Sequence, residues 1–203
     1  MLAAFPADLT ADAEAAAAVM PASRLRPVEP SPVVVQGSQV WIPGRLYNDE
    51  PPTQAPESLS PRQHLLLHCL YTRHHDGRVR QRHLAEIVAS TEPWVIPFVV
   101  QSAGDYVLEI LVDLRDALRD LATPDTRRAL AYGQFIMANP AFFARAERRV
   151  VSHWNCHYRH AYTTFHGYPG STLIALLRSA ATTTAGHPWP TVTPAGPRLH
   201  GYC

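Results

Sequence analysis

Two histidine pairs in this sequence stand one helical turn apart. His64 and His68 are separated by three leucines, and His153 and His157 by Trp-Asn-Cys. At a spacing of i, i+4 both imidazoles of a pair fall on one helix face, where they can chelate a single metal ion. Facing helices could then bring His64, His68, His153 and His157 together as three or four ligands for zinc or another divalent metal, with Cys69 or Cys156 beside them. Neither pair holds the internal glutamate of a His-Glu-x-x-His metalloprotease helix, and no Glu-x-x-His pattern of a dimetal bundle occurs. The competing reading is ordinary surface or core histidines, because nine of the 11 lie within residues 61–185 and an accidental pair is expected there. Proton transfer is a third use of the same side chains.

A second constellation is basic. Arg145, Arg148, Arg149 and Arg159 fall on one broad side of a helical stretch whose other side carries Phe142, Phe143, Val150 and Trp154. Tyr158, Tyr162 and Phe165 follow closely. Such a surface can hold nucleic acid phosphates and stack on exposed bases, or bind an acidic protein partner. It can equally pair along its rims with the acidic stretch that carries Asp105, Glu109, Asp113, Asp116 and Asp120, an arrangement of small energy. Nucleophilic catalysis finds no motif: there is no Gly-x-Ser-x-Gly elbow and no glycine-rich phosphate loop. Ser152 beside His153 does not make a dyad by adjacency. Arginines and histidines near Cys156 would favour its thiolate, whereas a packed helix would keep it inert.

The elements that must position these residues are helical. Ser60-Pro61-Arg62-Gln63 offers a cap, a proline at the first helical position and a glutamine closing a capping box. The helix that follows is expected to reach about Arg73, and a second to run past Asp76-Gly77 to about Ala89. A third and longest segment is expected from Thr91-Glu92-Pro93 to about Leu121, kinked near Pro97. A fourth starts at Thr123-Pro124-Asp125, a fifth runs from Ala141 to about Tyr162, and a sixth covers Thr172 to Ala181. Short connections make sequential helices antiparallel neighbours. The expectation is an all-α domain over residues 58–185, a bundle of five to six helices or a short stack of helical hairpins.

Proline marks the ends of that domain. Nine of the 19 prolines lie in residues 1–60, with seven acids against three arginines. That composition predicts a disordered tail over 1–57, since it buries too little to offset its ordering entropy. Two islands interrupt it. Thr10 to Met20 suits a short helix, and Val33-Val34-Val35 with Val40-Trp41-Ile42 suits a hairpin or a peg docked on the domain. Residues 186–203 are expected to be a second proline-rich tail.

Asp76-Gly77-Arg78-Val79-Arg80, followed by Leu84, resembles the Asp-x-x-Val-Arg-x-x-x-Leu opening of a HEAT-type helical repeat. The resemblance covers about residues 76–121, and no second copy recurs at a period near 40. It implies stacked helical hairpins, with the long apolar helix as the partner helix, and a protein-binding scaffold.

Composition bounds the rest. The chain has 203 residues, net charge +1, 46% apolar and 17% charged residues, which suits one packed domain and excludes a polybasic protein. All 18 basic side chains are arginine, so contacts to phosphate or carboxylate fall to arginine, histidine or backbone groups. Three cysteines without a CxxC pair suit a reducing cytoplasm. The N-terminus lacks the positive region of a signal peptide, and Trp94 to Val112 carries too many polar residues for a membrane span. The expected function is an interaction or scaffolding protein without a catalytic motif or an obligatory cofactor. Metal binding through the histidine pairs, possible enzyme activity included, and nucleic-acid binding through the arginines are the alternatives.

Overall fold

The structure, a computed structural model, describes residues 1–23, 25–52 and 54–192. Most of the expected C-terminal tail, residues 193–203, lies outside the described residues. The chain is mostly helical and divides into two compact units, Met1–Phe98 and Val99–Cys203. The division runs through the 58–185 segment, so the helices sort into two groups.

In the first unit the described residues of 1–57, expected as a disordered tail, carry helix, strand and buried side chains. Two 3-10 turns, Leu2–Ala4 and Ala7–Leu9, lead into α1, Thr10–Ala18. Phe5 is buried, stacked on Phe98 at 5.5 Å and edge-on to Trp94 at 5.9 Å. Ala13 and Ala16 are buried, and α1 packs on α2, Pro61–Tyr71. Small side chains let the two helices approach closely. Asp12 then accepts from Gln63 Nε2 at 2.9 Å and pairs with Arg62 at 2.7 Å. The burial that composition failed to promise comes from a few apolar side chains with distant partners.

The hairpin that the Val33–Ile42 island suggested is present, and it adds a small sheet to a chain expected to be all-α. Strands β1, Ser31–Val35, and β2, Ser38–Ile42, pair antiparallel in a two-stranded sheet. The turn residues Gln36 and Gly37 both have positive φ, 49° and 81°, the mirror-image turn whose twist matches the strands. Alternation gives the ribbon two faces. Val33, Val35, Val40 and Ile42 are buried, whereas Pro32, Val34, Gln39 and Trp41 face outward.

Two buried arginines tie the base of this hairpin to the turn after α2. Arg73 donates from Nε to the Pro43 carbonyl at 3.2 Å and from Nη2 to that of Gly44 at 2.9 Å. Arg80, 1% exposed and on α3, Gly77–Ile87, donates from Nη1 to the carbonyls of His74 and His75. Leu46 completes the junction, donating to Arg73 O at 2.7 Å and accepting from the His75 amide at 2.9 Å. The capping box on α2 is present as its sequence implies, with Ser60 and Gln63 bonding each other's backbone. Asp76 caps α3 by accepting from the Arg78 amide.

The long third helix does not exist as one element. It is divided into α4, Ile96–Ser102, and α5, Leu108–Ala117, followed by a 3-10 turn at Arg119–Ala122. Asp105 sits in the break and accepts from the Val107 amide at 3.0 Å, a side chain replacing a helical carbonyl. The segment resembling a HEAT repeat therefore lacks the long partner helix that the resemblance implies.

The second unit is built on α8, Pro169–Ala185, which packs against α5, α6 (Arg127–Ala138) and α7 (Pro140–His153). α6 approaches α8 closely at Gly133, where an added Cβ would collide with the Thr184 hydroxyl and the Ala180 carbonyl. The fifth expected helix is interrupted too. Regular α7 ends at His153, and a π-helical turn covers Trp154–Tyr158. That widened turn brings the Tyr158 hydroxyl to the Tyr106 carbonyl at 2.7 Å and stacks its ring on Tyr168 at 5.4 Å. Glu147, 1% exposed, forms an ion pair with Arg178 across α7 and α8.

Candidate functional site

A polar cluster of the first unit lies where α2 and α3 meet the loop that follows the hairpin. Glu50 comes from that loop, His68 from α2, and Arg82 and His83 from α3. Arg82 pairs with Glu50 Oε2, and His83 Nε2 lies 3.1 Å from Oε1. Burial alone would raise the Glu50 carboxyl, but the hydrogen bonds from His83 and Arg82 outweigh it and hold it below the usual range. An ionised carboxylate only accepts, so His83 Nε2 carries a proton. Burial, only partly opposed by Glu50, pushes the His83 pKa down and favours the neutral ring, leaving Nδ1 as an acceptor.

His68 Nδ1 lies 2.8 Å from that acceptor. Burial, then the neighbouring His83, lowers the His68 pKa to about 4. The network thereby assigns Nδ1–H to His68 as the donor and Nε2 as its lone-pair nitrogen. The order is Glu50, His83, His68, with every proton placed by the carboxylate at one end. Tyr71 frames the chain: its ring stacks on His83 at 4.8 Å and its hydroxyl donates to the Asp49 carbonyl at 2.6 Å. Burial, helped by Glu50 and Asp49, raises the Tyr71 pKa and keeps that donor protonated.

His64, one turn before His68, has its Nδ1 3.1 Å from the Ser60 carbonyl. A carbonyl cannot donate, so Nδ1 carries the proton here as well and Nε2 is the lone-pair nitrogen. Chemically the cluster can do two things. A ligand can coordinate at the Nε2 atoms while the groups behind hold the rings in place, or a proton arriving at His68 Nε2 can be answered by shifts towards Glu50. The pairing of His64 with His68 was visible in their spacing. His83, Arg82 and Glu50 were not, because Glu50 lies 33 residues from His83 in a loop without periodicity.

The second expected pair lies in the second unit. His153 and His157 stack at 6.1 Å with rings 23° apart. Burial, and then Arg149, lowers the His153 pKa; its buried Nε2 has no partner among the described residues. Among the described residues no three or more His, Cys, Asp or Glu side chains are grouped to hold a metal ion.

The expected arginine face is divided. Arg145 and Arg148 are exposed on α7, whereas Arg149 packs its stem over Gly104, where an added Cβ would meet it at 3.4 Å. Arg159 lies beyond the π turn, with its guanidinium 5.5 Å over the Trp154 ring and Nη1 donating to Asn155 Oδ1 at 3.1 Å. Asn155, Cys156, Arg159, His160 and Thr163 line an open cavity of about 420 Å³. Among the described residues no helix is long and apolar enough to cross a membrane. Comparison of the chain with protein-family models, with curated proteins and with solved structures finds no match.

Proposed function

We propose that the protein works by binding another protein, through the outward face of the β1–β2 hairpin. The observation behind this reading is Trp41, 43% exposed on a strand, directly opposite Pro32 and beside Val34, itself 39% exposed. Tryptophan is costly to leave in water and is enriched among the residues that dominate interface energies. The inward face of the ribbon is packed and its base is held by Arg73, so the outward face is a rigid platform. Its occupant is a protein with an apolar contact surface.

The test is affinity capture with the full chain, followed by affinity measurement on the purified partner. A Trp41→Ser, Val34→Ser double variant should raise the Kd at least about tenfold, in line with the ~2 kcal/mol of a typical tryptophan anchor. Its thermal unfolding should stay unchanged. Recovery of the same proteins, with the same affinities, by both forms counts against the reading.

A second reading is metal binding at His64 and His68. It is favoured by one observation: both rings have Nδ1 engaged, on Ser60 O and on His83, which directs Nε2 of each to a ligand. Solvent or a partner's side chain would complete the coordination. Cobalt(II) absorption gives the readout. Saturable binding lost in His64→Ala and His68→Ala, and weakened about 10–100-fold in His83→Gln, supports it. Binding indifferent to His64 and His68 ends it.

A further inference from the structure

We infer that the cavity at the π-helical turn of the second unit binds a small phosphate-bearing compound. Four of its five described lining residues are donors, and the fifth, Cys156, is held in a disulfide. Asn155, Arg159, His160 and Thr163 each offer an N–H or O–H group, and among the described residues no aspartate or glutamate lines the space. Two contacts set these donors in advance. Asn155 Oδ1 accepts from Arg159 Nη1, which fixes the amide orientation and leaves its NH₂ free to donate. The Trp154 ring beneath the guanidinium holds Arg159 in position, so its remaining N–H groups need no reordering to meet an anion.

The geometry favours a tetrahedral oxyanion. A guanidinium fork, an amide, an imidazole and a hydroxyl line one cavity from separate side chains, which suits a ligand with several oxygens. At about 420 Å³ the cavity exceeds what one phosphate group fills and lies within the usual range of small-molecule sites, about 300–1,000 Å³. The ligand is therefore a phosphoester with an organic part of modest size. The π turn is the device that makes the site. It ends the regular path of α7 and turns Asn155 and Arg159 towards one space, in keeping with the frequency of such turns at functional sites. This site is independent of the hairpin and of the first unit's histidines.

The test is a titration of the full chain with inorganic phosphate, phenyl phosphate and acetate at constant ionic strength. The readout is the amide signals of Asn155, Arg159, His160 and Thr163 and the Trp154 indole signal. Expected is saturable movement of these signals with phosphate and phenyl phosphate, with the midpoint for phenyl phosphate below about 1 mM. Tighter binding of phenyl phosphate identifies a phosphoester, and equal binding identifies the phosphate group alone as the determinant. Arg159→Met keeps the stem on Trp154 and should weaken binding at least tenfold. Thr163→Val, at an exposed position, should weaken it less and leave the fold intact. Three results overturn the inference: shifts that stay linear in phosphate, saturation by acetate alone, or an equal loss in Arg148→Met, which would mean diffuse charge rather than a site.

Discussion

The Nδ1 atoms of His68 and His83 lie 2.8 Å apart, so one ring must donate to the other and the two cannot both be cationic at that distance. Burial sets the direction, holding His68 neutral down to about pH 4. The unfolded chain, with histidines near pH 6.5, binds more protons than the folded one between those values. Stability contributed by the neutral pair is therefore complete above about pH 6.5 and is lost as the pH falls towards 4. Chemical unfolding between pH 7 and 4 should show that decline, reduced in His68→Gln. In His83→Gln the His68 ring, followed by NMR, should titrate above 4 yet below 6.5, because burial remains.

Glu147 and Arg178 should behave as a unit. Burial raises the Glu147 carboxyl pKa, opposed first by the Arg178 guanidinium and then by the Val192 backbone and Arg148. Removing the cation alone strands a buried carboxylate. Arg178→Met should cost about 3–5 kcal/mol in urea unfolding, and adding Glu147→Met should recover most of that loss. A fully additive double variant would mean that the pair does not interact.

Gly133 should tolerate no side chain. In an exposed helix, alanine would gain about 1 kcal/mol over glycine. Here its methyl group meets Thr184 and the Ala180 backbone, so Gly133→Ala should destabilise by about 1–3 kcal/mol. Gly133→Ala combined with Thr184→Ala should recover part of it. Thermal unfolding gives both numbers.

Arg80 should resist conservative replacement. Its guanidinium serves two successive carbonyls, which a lysine ammonium on a flexible stem matches poorly. Arg80→Lys should cost about 1–3 kcal/mol, and Arg80→Met more, since the carbonyls of His74 and His75 then both lose the Arg80 donor. Denaturant midpoints at pH 7 check the order.

The parts of the fold that were legible in sequence are those fixed by neighbours along the chain. The Ser60–Gln63 box, the breaker at Asp76-Gly77 and the two apolar runs of the hairpin all act within a few residues. The misread parts depend on distant partners. Proline and acid counts over residues 1–57 say nothing of Phe5 stacking on Phe98, or of two alanines packing on α2. An apolar run from Trp94 onwards reads as one helix until Asp105 is seen accepting from the Val107 amide in the break. The candidate site divides in the same way: His64 and His68 announce themselves by spacing, whereas Glu50 and His83 meet only once the loop is laid across α3.

The arginine clasp at the base of the hairpin also bears on how the platform can move. Arg73 holds the carbonyls of Pro43 and Gly44, while Leu46 exchanges backbone bonds with the turn held by Arg80. Neither the ribbon nor the helical turn can lift without breaking the other's buried bonds. Their amides should therefore exchange with solvent as one cooperative block, at a single opening free energy. A partner arriving at Trp41 meets a surface already set by folding, with little entropy left to lose, and its association should be governed by encounter rather than by rearrangement.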